Sequence, residues 1–224
     1  MTIDIHLFDI YRSPNIGVFL RANDDYCLVP RGLASTKCER ISNFLHSETI
    51  PISIAGSRLI GPLSVMNGNG IILSRLAEDE EVETIQRLTH LKVARLGSRF
   101  TSVGNLISAN DQGAIVSDVF GEESLKAIEE TLGVGVTKLR ISSYIQIGSM
   151  LSATNKGAMV HPAANEKDLD QIRKVLGVEP EPATVNGGVP FVSSGFVGNS
   201  RGILLGNQTR GGELVMIGRA FSSQ

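Results

Sequence analysis

Apolar and polar positions in this chain alternate between two periods in a fixed rhythm. Apolar ladders at helical spacing occur four times: Cys38/Ile41/Leu45, Val82/Ile85/Leu88, Leu125/Ile128/Leu132 and Leu169/Ile172/Leu176. The opposite faces are charged, as in EDEEVETIQRL and NEKDLDQIRKVLG, so each ladder predicts a helix with one buried stripe. Asn165 suits the N-cap of the last helix, and Gly133 and Gly177 suit C-terminal stops. Ahead of three ladders stand short apolar runs, Ile71-Ile72-Leu73, Ala114-Ile115-Val116 and Ala158-Met159-Val160. The turn residues Asn67-Gly68-Asn69-Gly70, Asn110-Asp111-Gln112-Gly113 and Thr154-Asn155-Lys156-Gly157 precede them. Asn and Gly take left-handed backbone angles at low cost, so these segments predict hairpins.

The pattern is an internal repeat. Gly17, Gly61, Gly104, Gly148 and Gly195 each open an apolar strand, at intervals of 44, 43, 44 and 47. Nine residues after the first four stand Tyr26, Gly70, Gly113 and Gly157, while the fifth copy reads two residues shorter, with Gly202 in that place. The ladders begin twelve residues further on. The fifth copy departs from this: Asn207 to Gly212 reads as a Gly-rich turn where a helix should start, and Leu214-Val215-Met216-Ile217 reads as a strand. At the other end, Ile3 to Phe8 alternates as a strand with no helix before it. The expectation is a closed ring in which the first and last strands share one unit. A unit of this size cannot bury both its helix face and its sheet face alone. Residues 1–224 are therefore expected to form one domain, with repeats at about 15–58, 59–101, 102–145, 146–192 and 193–224, closed by strand 1–10.

Composition narrows the function. The 224 residues carry a formal net charge of −2, with 42% hydrophobic and 5% aromatic residues. A chain without basic excess and with few aromatics is a poor general RNA binder. The N-terminus has neither a basic segment nor an apolar stretch of signal-peptide length, and no run approaches a membrane span. A soluble, cytoplasmic protein is expected.

Candidate chemistry is sparse. Cys27 aligns with Ile71, Ala114, Ala158 and Ile203, and Cys38 aligns with Val82, Leu125 and Leu169, so both read as packing residues rather than nucleophiles. His6, His46, His90 and His161 stand singly, without metal-ligand spacing, and His161-Pro162 reads as a surface turn. The carboxylates fall near or on the outer helix faces, and no GxxxxGK[ST] phosphate loop is present. Ring closure would bring Asn67, Asn110 and Thr154/Asn155 onto one face. Each alone reads as a turn residue; together they would form an uncharged rim suited to a protein partner.

The frame G-x-x-x-x-x-N/T-x-x-G-x-x-V resembles the archaeal translation initiation factor six family, the ribosome anti-association factors. The likeness extends to Ser53–Gly61 (SIAGSRLIG), Tyr26-Cys27-Leu28-Val29, Ser102-Val103-Gly104-Asn105 and Thr154–Pro162 (TNKGAMVHP), in order and along the whole chain. The extended tail of eukaryotic members is missing, which points to an archaeal source. The resemblance implies an α/β pentein (β/α-propeller) fold, with five pseudo-symmetric ββαβ-like repeats around a central channel and helices outside. It implies binding to the large ribosomal subunit on its intersubunit face, with a uL14-type ribosomal protein near the sarcin-ricin loop as the main contact. Small-subunit joining would be blocked sterically, with a role in large-subunit biogenesis. The matching motifs offer Arg58, Asn67, Gly104, Asn105 and Asn110 as ribosome-binding residues. No catalytic residue, cofactor, metal, DNA or membrane partner is implied, and a monomer is expected. The competing reading is a pentein enzyme modifying guanidino compounds, disfavoured because the last repeat offers no Cys nucleophile.

Overall fold

In the first four repeats a hairpin is extended by a third, parallel strand, and one helix of 11 residues crosses between them. The structure is a computed structural model and describes residues 3–221. In the first repeat, Arg21–Ala22 runs antiparallel to Tyr26–Pro30, and Tyr26–Pro30 pairs in parallel with Glu48–Ile52. A parallel partner needs a crossover long enough to turn the chain around, which the Ser35–Leu45 helix supplies. The next three repeats repeat this order with the helices Asp79–Thr89, Glu122–Leu132 and Glu166–Leu176.

The fifth sheet is built from both chain ends, as the alternating N-terminal run predicts. Phe196–Gly198 pairs antiparallel with Gly202–Gly206, which pairs in parallel with Asp4–Phe8, in register from Asp4↔Gly202 to Phe8↔Gly206. The missing third strand of the last repeat is thus supplied by the N-terminus, and the ring closes by backbone hydrogen bonds.

Two expectations for the fifth copy are corrected. Gly211–Phe221 is a full helix of 11 residues, not a turn and a strand. Its Leu214, Ile217 and Phe221 keep the spacing of Cys38, Ile41 and Leu45, with Ile217 and Phe221 buried. Gly211 and Gly212 fall in the first turn, where their low helix propensity matters least, and the Glu213 carboxylate accepts the Arg210 N–H there. The counterpart of Gly17, Gly61, Gly104 and Gly148 is Ser193, not Gly195. Each of these five is the second residue of a short helical turn: Ile16–Phe19, Ile60–Leu63, Val103–Asn105, Ile147–Met150 and Val192–Gly195. Counted from Ser193, Gly202 falls nine residues on, so the last copy is not shortened.

The same geometry explains why glycine recurs. A Cβ on Gly61 would overlap the Gly17 carbonyl oxygen, one on Gly104 the Gly61 oxygen, and one on Gly17 the Ser193 oxygen. The helical turns are therefore stacked backbone to backbone around one end of the channel. Ser193 fits in this circle because its hydroxyl donates to the Gly148 carbonyl at 2.5 Å. Gly70, Gly113, Gly157 and Gly202 form a second circle, each lying against a carbonyl in the last turn of the following repeat's helix.

Five apolar clusters fill the spaces between helices and sheets. The second ladder is corrected by one residue: Thr89 takes the buried place expected of Leu88, which is 41% exposed. Cys27 is fully buried among Ile16, Val29 and Ile41, while Cys38 is half-buried at the margin of the same cluster. The channel is walled by the first hairpin strands of all five repeats and retains a cavity of only about 40 Å³, room for a few waters.

Candidate functional site

The two ends of the channel have opposite chemistry. At the hairpin end, Asn23, Asn67, Asn110, Thr154 and Asn199 occupy equivalent positions. The Oδ1 of Asn67 accepts the N–H groups of Asn69 and Gly70, which fixes its own turn. Its Nδ2 donates across the repeat boundary to the Asn110 carbonyl at 3.1 Å and to the Leu132 carbonyl at 2.8 Å, at the end of the next helix. Asn110 does the same with Gln112, Gly113, Thr154 and Leu176. Asn199 does so across the chain closure, with Asn23 and Leu45. Asn23 donates in turn to the Asn67 carbonyl.

A second layer of polar bonds lies beside the first. Asp111 accepts from the Gly68 N–H and from Asn155 Nδ2, and Asp24 accepts from the Ser200 N–H and hydroxyl. Asn67, Asn110, Thr154 and Asn155 do meet on one face, but as a rim open to a partner they fail: Asn67 and Asn110 are 2% and 4% exposed, and both amide groups are fully hydrogen-bonded. That expectation is corrected: buried backbone carbonyls at helix ends need donors, and these side chains supply them. Asn23 and Asn199 belong to the same circle. Both stand three residues before Tyr26 and Gly202, as Asn67 and Asn110 stand before Gly70 and Gly113, so the repeat spacing held the signal that would have found them.

At the other end, the helical turns and the loops leading into them face outward. Arg58 and Leu59 are exposed beside the Ile60–Leu63 turn, and the Arg58 guanidinium lies 5.3 Å from the centre of the Tyr11 ring. Asn105 is half-buried at the mouth of the channel, where Tyr144, Gln146 and Ser149 also contribute to the wall. Gly104 is buried beneath Asn105, so its part is to let the turns approach each other. Of the five expected contact residues, the structure brings Arg58, Gly104 and Asn105 to this end and places Asn67 and Asn110 at the other.

The loops of this face are braced by the third residue of the long helices. Glu81 is buried and accepts the N–H groups of Ala55 and Gly56, both at positive φ, while also capping its own helix through the Glu78 N–H. Glu213 repeats the arrangement with Gly187, Gly188 and Arg210, and accepts the Thr184 hydroxyl. In the first repeat the polarity is reversed, with Lys37 reaching Asp9 at 2.8 Å.

Burial opposes ionisation of Glu81 and Glu213, but the backbone N–H donors outweigh it and hold both carboxyls below the ordinary value of 4.5. A depressed folded-state value means stabilisation that is complete above the unfolded value and lost as pH falls through the folded one. In urea titrations, Glu81→Gln/Glu213→Gln is expected to cost about 2–4 kcal/mol at pH 7. The gap to the parent should narrow as pH falls below the ordinary carboxyl value of 4.5 and through the lowered folded-state values. A gap independent of pH would show that the ionised form is not what braces the loops.

With this geometry in place, the comparisons with known proteins are decisive. The eIF-6 family model matches residues 5–220. The chain belongs to the eIF-6 family. It is 50% identical over 220 residues to the translation initiation factor 6 of Cenarchaeum symbiosum, covering 98% of this chain and 100% of that one. Identity is 48% to the factor of Nitrosopumilus maritimus, over 98% of this chain and 99% of that one. For the factor of Staphylothermus marinus it is 33%, over 98% of each. Among solved structures, a dimethylarginine dimethylaminohydrolase matches with a TM-score of 0.51 at 11% identity, covering 74% of this chain and 67% of that one. Identity that low speaks for fold alone. The fold is the pentein, five pseudo-symmetric repeats of an α/β unit.

In this eIF-6 family chain the candidate groups for covalent chemistry sit in packing positions. Burial pushes the Cys27 thiol far above its ordinary range, and burial also raises Cys38. His161, expected in a surface turn, is instead buried between Tyr144 and Phe191. Its Nδ1 accepts the Ala163 N–H, and burial lowers its pKa. Among the described residues no cluster of His, Cys, Asp and Glu has the form of a metal site. No described helix is long and apolar enough to cross a membrane.

Proposed function

We propose that this translation factor binds the large ribosomal subunit on its intersubunit face and prevents small-subunit joining by occupying space. The carrying observation is the asymmetry between the two ends of the channel. At the hairpin end the side-chain amides of Asn67 and Asn110 are used within the ring. At the helical-turn end, Tyr11, Arg12, Arg58, Leu59 and Tyr144 are exposed. Exposed Arg and Tyr on braced loops have the composition of a protein-binding surface. They also suit a ribosomal protein of the uL14 type near the sarcin-ricin loop.

Such a mechanism needs rigidity and area rather than chemistry. A specific contact uses roughly 800 Å² per partner, under a tenth of the 9825 Å² surface. Masking the same face of a newly assembled large subunit would keep it out of translation in the cytoplasm, which is the proposed link to biogenesis. The raised pKa values of the buried Cys27 and the half-buried Cys38 weigh against the guanidine-modifying alternative.

Co-sedimentation with isolated ribosomal subunits tests the reading. The protein should pellet with large subunits alone and reduce the yield of joined ribosomes when small subunits are added. Arg58→Glu/Asn105→Ala should weaken large-subunit binding by about tenfold or more while the thermal midpoint stays near that of the parent. Pelleting with small subunits, or with neither subunit, would refute the proposal. Undiminished binding by the double variant would move the contact elsewhere on the ring.

A further inference from the structure

Arg21 is the one charged residue in a position that the other repeats fill with Val65, Ser108, Ser152 and Val197. It stands at the junction of the narrow channel and the wider mouth pocket, and it belongs to the walls of both. Its Nη2 donates to the Gly61 carbonyl at 2.6 Å. The Nε is shielded from solvent and has no hydrogen-bond partner. Among the described residues no carboxylate pairs with the guanidinium, and burial is the sole cause pulling its pKa down to about 10. The nearest acidic residue in the chain sequence, Asp24, is directed to Ser200 at the hairpin end.

A half-buried guanidinium without a counter-charge is costly to a fold. Symmetry does not require it here, because Val and Ser serve at the equivalent sites. The mouth pocket offers the complement to that charge. Its cavity of about 410 Å³ falls in the range of small-ligand sites. Asn105, Gln146 and Ser149, which carry neutral hydrogen-bonding side chains, share its wall with Arg21. No acidic side chain is part of that wall. A cation set among neutral hydrogen-bonding residues, with no acid in the wall, favours an anion.

We propose that the mouth pocket binds a small free oxyanion, of phosphate or carboxylate type, with Arg21 as its counter-charge and the neutral side chains as further donors. The pocket opens among the helical turns, so its occupant would sit beside Asn105 on the outward face. The proposal does not depend on the ribosome-binding reading, because it is tested on the protein alone.

The test is thermal unfolding of the full chain with inorganic phosphate or acetate, at ionic strength held constant with chloride, alongside Arg21→Met. One of the two anions should raise the midpoint of the parent saturably, reaching half its effect at millimolar concentration or below. Arg21→Met should lose that response while melting no lower than the anion-free parent, since it removes an unpaired charge without opening the fold. Equal gains in both proteins would mean general salt stabilisation and would overturn the proposal. If Arg21→Met does not fold, calorimetric titration of the parent with each anion decides alone: saturable heat supports the site, and its absence from both titrations refutes it.

Discussion

Gly104→Ala is expected to leave little folded protein, with a loss of about 4 kcal/mol or more. The added Cβ would overlap the Gly61 carbonyl oxygen and approach the Ser64 oxygen to 2.7 Å and Arg21 Nη2 to 2.8 Å. Two of these three are backbone atoms, so no rotamer change relieves the contact. The neighbouring turns would have to separate, and in a closed ring that movement strains all five interfaces. Gly135→Ala is the control: nothing lies within 4 Å of its Cβ position, and its effect should stay within about 0.5 kcal/mol. Urea midpoints and soluble yield measure both. A cooperative transition for Gly104→Ala at the parent midpoint would show that the turns are not packed this closely. The prediction also separates two roles: lost ribosome binding in this variant would report on the fold and not on a contact.

Asn110→Ala is expected to cost about 3–5 kcal/mol. The Thr154 and Leu176 carbonyls would lose their side-chain donor, and the amides of Gln112 and Gly113 their acceptor, at a site that is 4% exposed. Asn110→Asp isolates the donor half of this work. A carboxylate can still accept from Gln112 and Gly113, but it turns oxygen toward two carbonyl oxygens, so the loss should be no smaller. Equilibrium unfolding of both variants decides the matter. A loss near 1 kcal/mol for Asn110→Ala would mean that water replaces the amide, and the hairpin end would then be an open polar rim after all.

Much of the architecture is legible in the chain because it is local and repeated. The helices at 79–89, 122–132 and 166–176 follow from one apolar stripe each, and Gly133 and Gly177 end theirs in the left-handed conformation that a C-terminal stop requires. The closing strand is readable because Ile3 to Phe8 alternates as a strand with no helix before it. The fifth helix is misread because an unbroken apolar run, Leu214 to Ile217, cannot be told from a strand by its own pattern. The twelve-residue offset from Gly202 identifies it correctly. The fifth glycine is misassigned because Ser193 carries the conserved geometry with a different residue type.

The candidate site divides along the same line. The sequence alone determined the five-part period, the hairpin turns, the helix faces and the meeting of the two ends, since each depends on residues close in the chain or on a count between copies. It also nominated Arg58 and Asn105 through motif likeness. Only the tertiary structure decided which polar residues are free. Asn67 and Arg58 are both hydrophilic residues beside a turn, yet one faces the carbonyls of a neighbouring helix and the other faces solvent. The difference arises from the packing of neighbouring repeats, which brings residues 43 and 65 positions apart within hydrogen-bond distance of Asn67. Arg21 was equally silent in the sequence. Its isolation from every carboxylate among the described residues is a fact of the channel that five copies make together, and no single copy contains it.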